Sequence, residues 1–448
     1  AQIEQPKLLQ SKLMTACMKK WEHMDRILSR PSPFGNETGQ LPNGYYQPGP
    51  EVFKTLNTES RVLVVGAGGL GCEILKDLAL SGLTDIHVID LDTIDISNLN
   101  RQFLFRMSDV GKSKAQAAAD FIMKRVPGCK VTPHQGMVQD KDEDFYRLFK
   151  VIISGLDNIE ARRWLNSVIV GMVEYDDEGD IDPSTIIPLI DGGTEGLKGQ
   201  GRVILPKVTA CFECTLDSFP PQQAYPMCTI AETPRLPEHC IAYVYILEWD
   251  RCFPGRKLDK DSPQDMQWIF ERAQARAQRY GIEGVTYFKT MGVVKNIIPA
   301  VASTNAIISS VCVNEAVKLL TYGSQTVNNY FLYMGSEGLY TPTFVYARSD
   351  KCVVCSEEAA TRAMTVPATM TLQEFMDLLS ETPSLQLKKP SLIGESISLY
   401  MQQPPALAAA LKGNLMKALG DLLVDGEVVT ITDPSLRDVS LSVQIQLQ

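Results

Sequence analysis

Two rhythms of apolar and polar positions organise this chain. In the first, Arg61 to Val65 is a short β-branched run, Gly66, Gly68 and Gly71 follow at G-x-G-x-x-G spacing, and Ile74, Leu75 and Leu78 recur at helical intervals. The pattern predicts a strand, a tight turn and a helix. Ile86 to Ile89 reads as a second strand running out to Asp90 and Asp92, and an alanine-rich helix begins at Lys114. Val151 to Ser154 is a buried strand that ends in Gly155-Leu156-Asp157, ahead of a helical NIEARRWLNSVI, and Ile186 to Ile190 resumes the sheet. Strands and helices alternating in this way predict a parallel sheet with helices on both faces. The stretch DGGTEGLKGQGRVILP after it is rich in glycine and reads as a mobile path for an extended peptide.

The second rhythm is helical. It runs from about Leu216 to Tyr287, clearest in CIAYVYILEW and PQDMQWIFERAQARAQRYGI, and returns in GVVKNIIPAVASTNAIISSVCVNEAVKLL as one long apolar helix. Tyr330 to Tyr346 supplies further strands. After about Ala363 a short amphipathic helix (Leu372, Phe375, Met376, Leu379) is followed by strand signals at Ile397 to Met401 and Leu422 to Val429. Strict alternation then sets in at Val439, Leu441, Val443, Ile445 and Leu447. Mixed strands with one helix in so small a space suit a β-grasp, ubiquitin-like domain. Ahead of the sheet, Leu8 to Leu28 reads as a packing helix and PSPFGNETGQLPNGYYQPGP as a surface linker. The expected organisation is therefore an arm and linker (1–50), a nucleotide-type domain in two parts (51–215 and 291–362), a helical insertion (216–290) and a C-terminal domain (363–448).

Composition narrows the function. The 448 residues are 44% hydrophobic and 21% charged, an ordinary balance for a globular protein of two to four domains. A formal net charge of −10 argues against a nucleic-acid surface and does not favour an anionic membrane. No stretch approaches the roughly twenty apolar residues of a membrane span. The first residues lack the apolar core of a secretory signal, and eleven scattered cysteines are an odd count, so reduced thiols in a cytoplasmic or nuclear setting are expected.

The candidate chemistry starts at the glycines. Gly66, Gly68 and Gly71 leave backbone N–H groups bare at a helix N-terminus where phosphate can sit, and Asp90 and Asp92 can accept from ribose hydroxyls. Taken alone these fit a dinucleotide enzyme or a simple close helix–strand contact. Asn98, Arg101, Gln102 and Lys114 alter that reading, because an arginine and a lysine at the crevice suit a triphosphate under attack. Asp157, at the carboxyl edge of the sheet, is either a Mg²⁺ ligand or a helix cap. Cys211 with Cys214, and Cys352 with Cys355, form two C-x-x-C pairs, which fit a structural Zn²⁺ site or redox pairs, duplication favouring zinc. Cys228 lies between Pro226 and Pro234, in a context that disfavours helix. It is either a nucleophile or one of the many inert cysteines.

GAGGLG followed by DLDTIDISNLNRQF resembles the adenylation domain of the ubiquitin-activating enzyme superfamily, which includes bacterial proteins that adenylate sulfur carriers. LIDGGTEGLKG, PMCTIAETPRLPEHC and GVVKNIIPAVASTNAI extend the resemblance to the catalytic subunits of its neddylation branch. That resemblance implies a Rossmann-like adenylation fold using Mg·ATP, with Asp92 on ribose, Arg101 and Lys114 on phosphates, Asn98 and Gln102 ordering the site, and Asp157 on Mg²⁺. It implies a structural Zn²⁺ on the four paired cysteines, a thioester on Cys228, and a modifier tail read by Arg202, a position that on sequence alone is equally a surface arginine. The implied partners are a regulatory subunit with an inactive adenylation fold, a Nedd-type ubiquitin-like modifier and its conjugating enzyme, which the C-terminal domain would dock. A SUMO-type activating subunit, a sulfur-carrier adenylating protein and a nicotinamide oxidoreductase are the competing readings.

Overall fold

The computed structural model describes residues 20–29, 49–219, 234–256, 258–259, 262–295, 300–321, 328–336, 338, 340–356, 361–437 and 439–448. Two compact units can be told apart, residues 1–219 with 300–372 and 388–448, and residues 220–299 with 373–387.

The first unit is built on β1 (Arg61–Val65), whose Val62 to Val65 are buried on both faces, as a central parallel strand requires. It leads through the glycine turn into α1 (Gly69–Leu80), then β2 (Asp85–Asp90), α2 (Lys114–Arg125), β3 (Lys130–Gln135), β4 (Val151–Ser154) and α3 (Ile159–Gly171). Strands β1 to β4 and β5 (Leu189–Glu195) pair in parallel, with β1 between β2 and β4. Parallel pairing ends there. β6 (Lys198–Ile204) returns antiparallel to β5 through Gly196 and Leu197, Gly196 holding φ +57°.

The DGGTEGLKGQG stretch is thus a paired hairpin and not a mobile path. Its glycines serve close packing. A Cβ at Gly192 would lie 2.8 Å from Leu70 Cδ2 and 3.1 Å from Cys312 Sγ, and one at Gly199 would lie 2.5 Å from Ile308 Cγ1.

The second unit is helical. Pro237–Tyr243, a π-helical turn over Val244–Glu248, Trp249–Cys252 and α4 (Pro263–Arg279) surround Ile241, Val244, Trp249, Ile269 and Ala273. Ser262 caps α4 by accepting from the Asp265 N–H.

The long apolar run after it is two helices, Tyr287–Lys295 and α5 (Ala302–Thr321); Pro299, which has no N–H to give a helix, falls between them. Ile308, Cys312 and Ala316 of α5 share the core of the large sheet with Ile74, Leu75 and Leu78 of α1. Each isoleucine or leucine among them stabilises the fold by about 1.5–3 kcal/mol when fully buried. β7 (Tyr330–Met334) and β8 (Thr343–Phe344) complete the sheet in the order β3-β2-β1-β4-β5-β6-β7-β8.

Further on, β9 (Arg362–Val366) is followed by α6 (Leu372–Glu381), β10 (Ser391–Ile393), β11 (Ser398–Tyr400), β12 (Val428–Thr432) and β13 (Ser440–Leu447). The second sheet has the order β11-β10-β12-β13-β9, with β13 and β9 parallel. Leu441, Val443 and Ile445 are its buried face, as the alternation predicts. Of the proposed arm helix, Glu22–Leu28 is helical, with Trp21 Nε1 donating to Ala79 O at 3.0 Å; residues before Lys20 lie outside the described set.

Neighbouring strands β2 and β3 bring His87 Nδ1 within 2.9 Å of His134 Nε2. Burial, and then the neighbouring ring, pushes His87 down to about 4, and burial also lowers His134. Both rings stay neutral while the unfolded chain takes up protons near pH 6.5, so this pair's stability is complete above that pH and is lost as pH falls toward 4. The fall in Tm between pH 7.5 and 5.5 is therefore expected to be smaller in His87→Gln than in the unaltered chain, measured by differential scanning calorimetry; equal falls would remove the pair from the acid response.

Candidate nucleotide crevice and cysteine cluster

The glycine turn leaves no room for side chains. A Cβ at Gly71 would stand 1.9 Å from Gly66 O, and Gly66 itself holds φ +94° while donating to Ile89 O at 2.8 Å. Helix α1 starts at Gly69 after Gly68, with no capping side chain, so its first N–H groups face the crevice. The Asp90 carboxylate accepts from Ala67 N at 2.6 Å and from Asp92 N at 2.8 Å, which binds the end of β2 to the turn. Burial raises its pKa against the pull of the Ala67 N–H. Both its oxygens are thus engaged, and Asp92, whose side chain is 64% exposed, is the open carboxylate.

Backbone bonds from Ile94 to Lys112 and from Lys114 to Asp92 zip the loop after β2 to the approach to α2. This delivers Lys114, buried at the helix start, to Asp92 Oδ2 at 2.7 Å. Asn98 closes a capping box by accepting from Asp95 N at 3.0 Å, so it shapes the loop. Arg101 donates to Ser97 O and Asn100 Oδ1, both at 3.0 Å, and its Cγ would meet a Cβ at Gly69 at 3.4 Å. Gln102 is buried beside Gly68, its Oε1 without a hydrogen bond. Asp157 is exposed beyond β4; the cap of α3 is Asn158, which accepts from Ala161 N at 2.7 Å. The structure thus gathers the glycines, Asp90, Asp92, Arg101, Gln102 and Lys114 around one turn.

Four thiols meet elsewhere in this unit. Cys211 lies 3.6 Å from Cys352 and 3.8 Å from Cys214, and Cys214 lies 3.4 Å from Cys355, all four sulfurs falling within 4.8 Å of one another. Thiolates ~2.3 Å from a tetrahedral Zn²⁺ stand ~3.8 Å apart, so this set fits that ion. Disulfides need ~2 Å between sulfurs.

Residues 48–356 match the profile of the ThiF family, and residues 365–445 that of an E2 binding domain. The NEDD8-activating enzyme E1 catalytic subunit of Dictyostelium discoideum is 50% identical over 423 residues, covering 93% of this chain and 94% of that protein. The subunit of the same name in Drosophila melanogaster is 48% identical over 436 residues, 95% of each chain, and that of Schizosaccharomyces pombe 43% identical over 441 residues, 94% of this chain and 95% of that protein. This chain belongs to the ThiF family, among the NEDD8-activating enzyme E1 catalytic subunits.

In this family member the Cys211–Cys214 turn is anchored to α3. Glu213, between the two cysteines, accepts from Arg163 Nε at 2.9 Å and Nη2 at 2.6 Å, and Phe212 N donates to Asn166 Oδ1 at 2.9 Å. Arg202 also points inward. It is 3% exposed, pairs with Asp191 at 3.4 Å, donates to Thr215 Oγ1 and lies against the rings of Phe212, Phe219 and Tyr330. Cys228 lies outside the described residues. Cys240 and His239 are buried, and Cys252 is exposed.

Sequence reasoning missed two buried polar groups. Arg162 donates to Leu156 O and to Gly192 O, and pairs with Asp191 at 3.3 Å, which fixes the loop leading to Asp157. Asn305, on α5, lies against Gly69 and accepts from Thr194 Oγ1 at 2.7 Å. The signal that could have found them is polar residues inside apolar helical runs, the RR of NIEARRWLNSVI and the TN of ASTNAIISS.

The Arg163–Glu213 pair is expected to behave as a buried ion pair. Arg163→Met strands a carboxylate in the interior and should cost about 3–5 kcal/mol of unfolding free energy. Urea denaturation measures this; a loss below about 1 kcal/mol, the range of an exposed pair, would contradict it.

Proposed function

We propose that this chain is the ATP-dependent catalytic subunit that activates NEDD8. The observation that carries the reading is the buried Lys114 on the exposed Asp92, 2.7 Å apart beside an uncapped helix N-terminus. A cation and bare N–H groups facing one crevice are what a nucleotide's phosphates require.

In the proposed reaction the modifier's terminal carboxylate oxygen attacks the α-phosphorus of ATP. The bond from that phosphorus to the bridging oxygen breaks, and pyrophosphate leaves. Asp92 holds the ribose; Lys114 and Arg101 offset charge on the α-phosphate and the departing pyrophosphate. Asn98 and Gln102 keep the loop and turn in place. Asp157 would hold Mg²⁺, which supplies further neutralisation at the phosphates.

The Cys228 thiolate then attacks the acyl carbonyl, AMP leaves with its bonding electrons, and a thioester remains. A conjugating enzyme's thiolate takes the acyl group in turn, docked on the C-terminal domain; the E2 binding domain match supports this partner. Arg202, held inward on Asp191, would reach a modifier-tail side chain only by leaving that pair, and Cys211, Cys214, Cys352 and Cys355 would hold a Zn²⁺ that fastens the segments 141 residues apart. A regulatory subunit with an inactive adenylation fold completes the enzyme, a heterodimer acting in cytoplasm and nucleus. The domain limits proposed from the sequence belong to the same reading, with residues 216–290 carrying the nucleophile.

The test is a non-reducing gel of the chain co-expressed with its candidate regulatory subunit and mixed with Mg·ATP and NEDD8, ubiquitin or SUMO. A thiol-sensitive shift with NEDD8 alone, lost in Cys228→Ala, is expected. Lys114→Met should lower ATP–pyrophosphate exchange on the order of a hundredfold. Pyrophosphate release without any shift would replace the reading with a sulfur-carrier type of adenylation.

A further inference from the structure

Asn305 occupies an unusual place for an amide. It is 2% exposed, on the first turn of α5, and its Nδ2 lies 2.5 Å from where a Cβ of Gly69 would be. Gly69 is the first residue of α1, a twelve-residue helix without a capping side chain. The Asn305 Oδ1 is engaged by the Thr194 hydroxyl at 2.7 Å, which orients the amide, and Nδ2 donates to no described residue. An amide held at its oxygen in this way presents its N–H groups in a fixed direction to whatever enters beside it. Here it stands beside the first N–H groups of α1, which no side chain caps. Donors converging on one helix N-terminus mark the position of an anionic oxygen.

We propose that Asn305 is a nucleotide-binding residue whose Nδ2 donates to a phosphate oxygen of ATP over the first turn of α1, with Thr194 as its positioning residue. This rests on the adenylating reading above and adds to it a donor from α5, an element remote in sequence from the glycine motif. It also accounts for Gly69, a position the G-x-G-x-x-G spacing leaves free: any larger residue would drive into the amide.

The test uses the full chain with its candidate regulatory subunit and the non-hydrolysable probe Mg·adenylyl imidodiphosphate, titrated by calorimetry. Asn305→Asp keeps the shape and the Thr194 hydrogen bond, but turns a donor into a negative charge facing phosphate. It should weaken the probe by at least on the order of tenfold, with Tm undiminished because a carboxylate is welcome at a helix N-terminus. Thr194→Val, which frees the amide to rotate, should weaken the probe by a smaller factor, and it carries the test if Asn305→Asp fails to fold. Lys114→Met is the control. Loss in Lys114→Met with unchanged binding in Asn305→Asp and Thr194→Val would overturn the role of Asn305 alone; unchanged binding in Lys114→Met would overturn the crevice itself. Unchanged probe binding in Asn305→Asp with a raised KM for the modifier would also overturn the proposal, by assigning the amide to the modifier's carboxylate.

Discussion

The absence of a side chain at Gly71 is the constraint on which the crevice depends. Helix α1 begins so close to the end of β1 that a single carbon there would overlap the Gly66 carbonyl. Only with that contact made do the Ala67 N–H and the Asp90 carboxylate come within reach, and Asp90 in turn holds the backbone of Asp92. Asp92 then meets Lys114 from a different helix. The crevice is a chain of short dependencies, each fixing where the next group stands.

Local rules make this part legible in the amino-acid sequence. Glycine spacing, β-branched runs and helical periodicity depend on neighbours along the chain, and β1, α1, β2 and α2 fall where those rules put them. The alternation at Leu441, Val443 and Ile445 also survives as a buried face. The β5–β6 hairpin is misread by the same rules, because glycine serves both mobility and tight packing; Leu70, Ile308 and Cys312, distant in sequence, decide between them. Asn305 and Arg162 are hidden for a related reason. Their significance lies in meeting Gly69 and Leu156, and no periodicity encodes a meeting across the sheet. The four cysteines are readable as pairs, whereas their convergence is a matter of topology.

Buried charge is concentrated around α3. Its two consecutive arginines take opposite tasks: Arg162 holds the Leu156 and Gly192 carbonyls, and Arg163 holds the carboxylate inside the first cysteine turn. Asp191 is shared by Arg162 and Arg202, so one carboxylate offsets two guanidiniums in the interior. Such clusters contribute little net stability compared with apolar packing but are costly to leave half-made. They tie the metal-type turn, the β5–β6 hairpin and the approach to Asp157 to a single helix, which suits a site whose parts come from distant segments.

The Lys114–Asp92 pair has a consequence for how such a site is emptied and refilled. A lone buried ammonium would cling to any anion, and a spent nucleotide would leave slowly. On the proposed reading, with Asp92 at hand the lysine would exchange one oxygen partner for another, so that its charge would stay covered between occupants. In the proposed cycle, departure of each product is then an ion swap inside the protein, and the vacated crevice resets itself without drawing a counterion from solution.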